Sequence, residues 1–407
     1  MMHVGVLGGG LQGCCVAIAL AERGLRVTIF DRNEQLLSRT AVANEGKVHL
    51  GFMYAGDPSL STARMMMRGA IAFAPFFSNH LGLGVEKLAL SEPAAYVVHK
   101  DSQSSAEAVS DYLERVRLLL EEYCAGVSGD YFGIDLHEKL YRWRQSEVEE
   151  EFDPAAAVAV FSSPEVAINP VVLARAVREC VSAHPAIDLR LQHFVRSVER
   201  DESGLRVISE CDGHLACDPF DHVVNALWDG RLAINESLGY RANRPWMHRL
   251  KYGVSCRLPT NARRPRSATF VLGPFGEVVS YPDGLTYLTW YPACLHGISM
   301  EVSPPTWATY PEEPLRSSIL TNTLAAMSEF ILPLRALTPD DLSEATVKGG
   351  TIVAWGATDI YDPRSELHRR FEIGVTSADQ FHSVDPGKLT MAPFFASVCA
   401  DRITGCA

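Results

Sequence analysis

The chain opens on a short apolar run, a glycine-rich turn and a helical pattern. Residues 4–7 are apolar, residues 11–23 have helical periodicity, and Gly24 suits the end of a helix. The next run, LRVTIF, is apolar and β-branched, and Asp31 ends it. This order predicts a βαβ unit with two parallel strands.

Helical and strand-like patterns alternate further along the chain. Residues 94–99 predict a strand, residues 104–123 a helix, and Asn169 with Pro170 the capped start of another helix. Several short strands are predicted over residues 187–227. Residues 250–300 are split by GPFG and PDG, which is typical of an antiparallel meander. A helix is predicted at residues 317–331, and a turn enters a last helix within residues 383–403.

Composition narrows the class of protein only a little. The 407 residues are 47% hydrophobic and 21% charged, which is ordinary for a globular chain with room for two domains. The net charge of −12 argues against a general nucleic-acid binder. The ten cysteines include no CxxC pair, so neither a disulfide framework nor a metal site is expected.

The first apolar stretch resembles a signal peptide only superficially. Glycines interrupt it and no basic segment precedes it. No run of about 18 apolar residues occurs elsewhere, so no membrane span is predicted. We expect a cytoplasmic protein.

The turn Gly8-Gly9-Gly10-Leu11-Gln12-Gly13 fits the pattern GxGxxG between a strand and a helix. Gly8 permits the tight turn, Gly10 lets the backbone approach a pyrophosphate, and Gly13 allows close packing of helix and strand. Asp31, 23 residues after Gly8, can accept hydrogen bonds from a ribose. The turn predicts dinucleotide binding but does not separate NAD from FAD.

A loop after this unit carries a resemblance that does separate them. Its pattern, N-x-G-x-(I/V)-H-x-G-x-x-Y, is matched by Asn44, Gly46, Val48, His49, Gly51 and Tyr54. The chain resembles the FAD-dependent oxidoreductases of the D-amino-acid-oxidase superfamily. Its motifs are most similar to those of the L-2-hydroxyglutarate and glycerol-3-phosphate dehydrogenases.

Two later segments extend the resemblance toward the end of the chain. The strand around FVRSV places Val195 where the family sets a valine against the adenine, and VVNAL places Ala226 beside the cofactor. Leu227 and Trp228 depart from the family's small residues there. DPGKLTMAP is similar to the family's turn before the last helix, whose N-terminus stabilises reduced flavin, with Pro386 in place of a glycine.

The resemblance implies FAD as cofactor and an α/β fold. It places a Rossmann-like FAD-binding domain at residues 1–80, 150–228 and 346–407. An α+β substrate domain with an antiparallel or mixed sheet is placed at residues 81–149 and 229–345. FAD contacts are expected from Gly8, Gly10, Leu11, Gln12, Gly13, Asp31, Arg32, Arg39, Thr40, Asn44, Glu45, Gly46, Lys47, Val195, Ala226, Gly387, Lys388, Leu389 and Thr390.

Three roles are open for His49. It could be the general base that removes a hydroxyl proton, it could position the loop or the flavin, or it could bond covalently to the flavin. Substrate contacts are expected from Arg257, Trp290 or Tyr291, and an arginine would suit a carboxylate. Trp290 and Tyr291 point to opposite faces of one strand, so one of them belongs to the core. Other possible anchors are Arg64, Arg68, His368, Arg369 and Arg370.

These features predict an enzyme that transfers hydride from a CH–OH or CH–NH carbon to flavin N5. The substrate would be a small polar molecule or a biosynthetic intermediate. An amino-acid or amine oxidase of the glycine-oxidase kind is the alternative. An NAD-dependent dehydrogenase and a flavoprotein without turnover remain further readings. The patterns leave open whether O2 is the electron acceptor, and they leave the oligomeric state open.

Overall fold

The computed structural model describes residues 1–82, 84, 88–126, 131–137, 140–202 and 204–405. Its strands are β1 His3–Leu7, β2 Arg26–Phe30, β3 Ala95–His99, β4 Ala157–Phe161, β5 Ile187–Arg190, β6 Phe194–Asp201, β7 Gly204–Cys211, β8 His214–Phe220, β9 His222–Asn225, β10 Trp246–Arg257, β11 Ala268–Val271, β12 Gly276–Ser280, β13 Leu285–Trp290, β14 Leu295–Ser299, β15 Ser343–Trp355, β16 Gly374–Ala378 and β17 Phe381–Asp385. Its α-helices are α1 Leu11–Ala21, α2 Ser61–Leu81, α3 Ala106–Gly126, α4 Gln145–Glu151, α5 Pro170–Ala183, α6 Arg231–Ser237, α7 Tyr291–Cys294, α8 Leu315–Ser328 and α9 Ala392–Thr404.

The first sheet has six strands in the order β16-β17-β9-β1-β2-β5, all parallel except β16. The predicted βαβ unit is confirmed, because β1 pairs in parallel with β2 and α1 connects them. Helix α1 is buried along its whole length and packs against α9. It ends at Ala21, two residues before the predicted end, because tight bonds from the Arg23 and Gly24 amides close the last turn.

The second sheet follows the path β14-β10-β13-β12-β11-β3-β4, and β15 pairs with β10. The predicted antiparallel meander is confirmed for β11, β12 and β13, which pair in sequence order. It is wrong for β10, which lies between β13 and β14 and is antiparallel to both, because strand patterns do not specify which strands become neighbours. Helix α8 packs on this sheet. A third sheet, β6-β7-β8, is antiparallel and contains three of the predicted short strands.

Helix α5 begins where the sequence predicts. The Asn169 side chain accepts hydrogen bonds from the amides of Val171 and Val172, and Pro170 is the first helical residue. The acidic run at residues 147–154 predicts a solvated boundary between domains. In the structure its first five residues belong to α4, and Glu151 is buried.

The sheets differ from the predicted domain boundaries at two places. Strand β4 pairs with β3 in the second sheet, although residues 150–228 were assigned to the FAD-binding domain. Strand β15 crosses the predicted boundary between residues 345 and 346. A strand pattern gives the element but not the sheet that it joins, so the division into domains stays a prediction. No helix in the described part of the chain combines the length and the apolar character that a membrane crossing requires.

Candidate functional site

A cavity of about 720 Å³ lies where the two large sheets meet. Gly8, Asp31 and Ala226 line it immediately after the carboxyl ends of β1, β2 and β9. Residues on β10, β11, β12 and β13 line it as well. Crevices at the carboxyl ends of parallel strands are the usual ligand sites of α/β sheets.

The glycine turn forms one part of the cavity wall. Gly8 has a φ of +99°, and a Cβ there would lie 2.7 Å from the Ala226 carbonyl oxygen. A side chain at Gly13 would collide with the Gly8 carbonyl oxygen. A Cβ on Gly10 would meet no atom within 4 Å. The turn therefore leaves open space above Gly10 at the N-terminus of α1, as a bound diphosphate requires.

Asp31 ties this turn to the end of β2. Its Oδ2 accepts a hydrogen bond from the Gly9 amide at 2.7 Å, and its Oδ1 accepts one from the Asn33 amide at 2.8 Å. Both Asp31 and Asn33 line the cavity, as do Leu11, Gln12, Val195 and Ala226. These residues fit the adenosine and diphosphate half of FAD.

Two arginines share one carboxylate near this half. Arg32 lies 3.6 Å and Arg39 lies 3.5 Å from Asp229 Oδ2, and all three side chains line the cavity. Thr40 also lines it, and its hydroxyl accepts a hydrogen bond from the Thr351 amide at 3.2 Å. The cluster presents an excess of positive charge to an anionic ligand.

The loop of residues 44–54 lies along the cavity. Asn44, Glu45 and Lys47 line it, whereas Gly46 does not. The Asn44 side chain accepts a hydrogen bond from the Gly46 amide at 2.8 Å, which shapes the turn. Lys47 is buried and pairs with Glu277 at 3.2 Å, and it also bonds to Thr269. Its charge is therefore partnered within the wall.

The turn before α9 forms the opposite end of the cavity. Gly387, Lys388 and Leu389 line it. Thr390 lies behind them, and its hydroxyl accepts a hydrogen bond from the His49 amide at 2.9 Å. Burial lowers the pKa of Lys388, and the Glu45 carboxylate opposes this shift.

His49 lies beneath the wall and is not among the residues that line the cavity. Its side chain is 1% exposed, and its Nδ1 lies 3.4 Å from Glu165 Oε2. Burial lowers the pKa of the His49 ring, and the Glu165 carboxylate offsets this only in part. This placement favours positioning over direct contact with substrate. Its role stays a prediction.

The three substrate candidates lie in different places. Tyr291 lines the cavity, and its hydroxyl donates to Asp359 Oδ1 at 3.1 Å. Trp290 does not line it and packs on Phe330. Arg257 does not line it either, and it pairs with Glu344 at 2.9 Å. Of the three candidates, only Tyr291 is therefore placed to contact a ligand in the cavity.

Of the other possible anchors, His368 and Arg370 line the cavity, whereas Arg64, Arg68 and Arg369 do not. Burial, together with the charges of Arg370 and Lys388, lowers the pKa of His368 to about 4. Sequence reasoning missed four residues of this region. Lys251, Glu277 and Tyr287 line the cavity from the second sheet, and Glu165 holds His49. No local pattern marks them, because their partners are distant in sequence.

No metal centre is evident in the described residues, which contain no group of three or more histidine, cysteine, aspartate or glutamate side chains able to hold an ion. Three features of the cavity fit a dinucleotide instead. They are the open space above Gly10, the amides at the start of α1 and the cationic turn before α9.

Comparison with solved structures gives the same architecture. Glycine oxidase from Geobacillus kaustophilus superposes with a TM-score of 0.68 at 14% identity, covering 100% of this chain and 95% of that chain. L-alpha-glycerophosphate oxidase from Mycoplasma pneumoniae, determined with FAD bound, superposes with a TM-score of 0.64 at 15% identity, covering 98% and 95%. At such identities the likeness shows the fold alone.

Sequence comparison supplies the family. The FAD-dependent monooxygenase FPY4 of Fusarium mangiferae is 40% identical over 52 residues, which are 13% of this chain and 14% of that protein. That match spans far less than two thirds of the relative. The family described as "DAO: FAD dependent oxidoreductase" matches residues 3–344, which decides between the FAD and NAD readings of the glycine turn. The chain therefore belongs to this family of FAD-dependent oxidoreductases, with FAD as its cofactor.

Proposed function

We propose that this enzyme oxidises a CH–OH or CH–NH carbon of a small polar molecule or biosynthetic intermediate. One observation carries the proposal: a single cavity is lined both by the glycine turn and by a cluster of buried charged side chains. Bound FAD would supply the acceptor for the hydride of the substrate carbon. The protein's own residues bind and orient the substrate and accept its proton.

The charges that line the cavity favour a substrate with an anionic group. Lys47 is neutralised by Glu277 at 3.2 Å, but around Lys388 the remaining cations outnumber the remaining carboxylate. An arginine and a lysine converging on one space suit a carboxylate. Around Lys388, these cations are Lys251, Arg370 and Lys388 itself, and the carboxylate is Glu45. The other charged residues of the lining are Asp31, Arg32, Arg39, Arg196 and Asp229.

Alcohol oxidation needs a group that takes the hydroxyl proton. His368 supports this role by its position, because it lines the cavity. Burial and the charges of Arg370 and Lys388 lower the pKa of its ring, which is therefore neutral at pH 7 but a weaker base than a free imidazole. Its Nδ1 has no hydrogen-bond partner among the described residues. A hydroxy acid or polyol is thus the first substrate class.

Oxidation of an amino acid or amine is the second candidate, and Glu45 favours it. Burial would raise the pKa of Glu45, but the positive charges of Lys388 and Lys251 outweigh burial and keep this pKa well below its usual range. The side chain therefore stays a carboxylate that can accept hydrogen bonds from an ammonium group. The fold shared with glycine oxidase from Geobacillus kaustophilus is consistent with this class.

We also place the protein in the cytoplasm, with O2 or another acceptor reoxidising the cofactor. The support is the state of the cysteines: none in the described part of the chain forms a disulfide. Thiols persist in reducing compartments.

The proposal is tested by the absorption spectrum of the FAD-loaded protein during anaerobic titration. We expect flavin bands near roughly 370 and 450 nm, which bleach with one class among hydroxy acids, polyols, amino acids and amines. Bleaching by hydroxy acids alone would select the first class, and bleaching by amino acids or amines alone the second. A protein that takes up no FAD, or whose flavin no member of the panel reduces, would contradict the proposal.

A further inference from the structure

Glu165 lies between β4 and α5, and its side chain is fully buried. Its Oε1 accepts hydrogen bonds from three successive amides, those of Leu50 at 2.6 Å, Gly51 at 3.0 Å and Phe52 at 3.3 Å. Amides that converge on one carboxylate oxygen make charge-assisted bonds, which are stronger than neutral ones. Glu165 therefore holds this part of the loop in one conformation.

The other oxygen of Glu165 faces a histidine and a tyrosine. Oε2 lies 3.4 Å from His49 Nδ1 and accepts a hydrogen bond from the Tyr96 hydroxyl. A neutral histidine beside a carboxylate carries its proton on the nitrogen that faces it. His49 Nε2 is then the unprotonated nitrogen. It has no hydrogen-bond partner among the described residues and lies 3.9 Å from Glu45 Oε1.

The groups that Glu165 holds connect directly to the cavity wall. Glu45 and Tyr54 line the cavity on either side of the buried segment. The His49 ring packs edge-on against the Tyr54 ring, with 5.8 Å between centroids and 70° between planes. The Val48 amide also donates to the Val166 carbonyl at 3.0 Å. A change at Glu165 is therefore transmitted to the wall through His49 and the loop backbone.

We propose that Glu165 is a positioning residue for the oxidation carried out in this cavity. Its carboxylate keeps His49 in the Nδ1–H form and fixes the loop, so that Glu45 and Tyr54 hold constant places in the wall. The reaction named here rests on the proposed function. The tautomer of His49 does not, because it is a property of the protein without substrate.

The test is Glu165→Gln, which preserves size but replaces one oxygen with an NH2 group. If the remaining oxygen keeps the three amides, the NH2 faces His49 Nδ1 and the ring proton moves to Nε2. Histidine-selective ¹⁵N NMR should show Nδ1–H in the wild type and Nε2–H in the variant, with His49→Gln identifying the signals. Flavin reduction at saturating substrate should slow by at least about tenfold, since Glu45 and Tyr54 lose their constant places in the wall and a small misplacement around the reacting groups is costly. The substrate concentration that gives half of the maximal reduction rate should change by less than about twofold.

Two further variants separate positioning from folding. Glu165→Asp keeps the carboxylate, so we expect the Nδ1–H form and a reduction rate closer to the wild type. Glu151→Gln makes the same change at another buried glutamate, which accepts the Arg266 amide at 2.6 Å and does not line the cavity. It should alter neither the tautomer nor the rate.

The proposal is overturned by an Nε2–H ring in the wild type or by an unchanged reduction rate in Glu165→Gln. If Glu165→Gln does not fold, the proposal is tested by the wild-type NMR spectrum and by the tautomer and reduction rate of Glu165→Asp. If no compound in the panel reduced the flavin, the proposed function would be overturned. The NMR spectra would still show whether Glu165 sets the tautomer of His49.

Discussion

Gly10 shows how the lack of one side chain opens the cofactor site. Gly8 and Gly13 are required by the fold, because a Cβ on either one would press against backbone. A Cβ on Gly10 would meet nothing within 4 Å. The requirement for glycine at this position therefore comes from what enters the cavity.

Gly10→Val should weaken FAD binding far more than it weakens the fold. We expect a loss of at least about tenfold in FAD affinity, because the side chain fills the space of a close backbone–diphosphate contact. The free energy of unfolding should fall by no more than about 1 kcal/mol, since the position is a helix N-cap. Flavin fluorescence titration of the apoprotein and urea unfolding measure the two effects.

Gly24→Ala is the matched control for this variant. Gly24 has a φ of +78° and lies in open space away from the cavity lining. Its substitution should cost about 1 kcal/mol of stability and leave FAD affinity unchanged. Wild-type FAD affinity in Gly10→Val would refute the diphosphate role of the turn.

At the scale of elements, two helices begin at the cavity. Leu11 and Gln12 in the first turn of α1 line it, and so does Ala392, the first residue of α9. The Gln12 side chain donates to the Ala392 carbonyl at 3.1 Å and joins the two helix starts. Helix N-termini favour negative charge. The arrangement suits a diphosphate at α1 and a reduced flavin at α9.

Strands β9 and β17 bring two histidines together away from the cavity lining. His222 Nδ1 lies 3.0 Å from His382 Nε2, and the rings stack at 25°. Burial, then the charges of His222 and Arg402, lower the pKa of His382 to about 4. Below about pH 6.5 the His382 ring binds a proton in the unfolded chain but stays neutral in the folded chain. The neutral His382 ring therefore does not reduce the free energy of unfolding above about pH 6.5, but it reduces this free energy progressively as the pH falls toward 4.

His382→Gln should therefore flatten the dependence of stability on pH. Between about pH 6.5 and pH 4.5 the wild type should lose about 2 kcal/mol more than the variant, as measured by urea unfolding. His214→Gln, at an exposed histidine on β8, is the control and should follow the wild-type curve. Parallel curves for His382→Gln and the wild type would contradict the argument.

At the scale of the whole molecule, neither large sheet forms the cavity alone. The first sheet contributes the ends of β1, β2 and β9, and the second contributes β10 to β13. The turn before α9 completes the lining from the end of the chain. A ligand that fills this space must stabilise segments that are far apart in sequence.

Hydrogen exchange should reveal that coupling. FAD at a hundredfold excess over its dissociation constant adds about 2.7 kcal/mol to any opening that destroys the site. Amides in residues 9–12, 193–196 and 387–389 should therefore gain protection together. The tip of the β7–β8 hairpin at Asp212 does not line the cavity and should not change. Protection confined to one of the three segments would contradict a shared site.

Local patterns were sufficient for much of the fold. The parallel β1–β2 pair, the Asn169 cap and the β11–β13 meander all follow from short-range periodicity and turn chemistry. The glycine turn with Asp31 indicated a dinucleotide for the same reason, because its parts lie within one βαβ unit. Motif resemblance then gave FAD, which the family match confirms.

Tertiary structure decided which side chains share the cavity. The sequence predicts Trp290 and Tyr291 on one strand, but this is wrong, because β13 ends at Trp290 and Tyr291 begins α7. Strand alternation therefore could not decide which of them lines the cavity. His49 and Glu165 are 116 residues apart, and Lys251 reaches the cavity only because β10 joins the second sheet. Periodicity acts over a few residues, whereas these contacts depend on how whole sheets pair and pack. The cofactor could therefore be predicted from the sequence, while the cavity wall around the substrate could not.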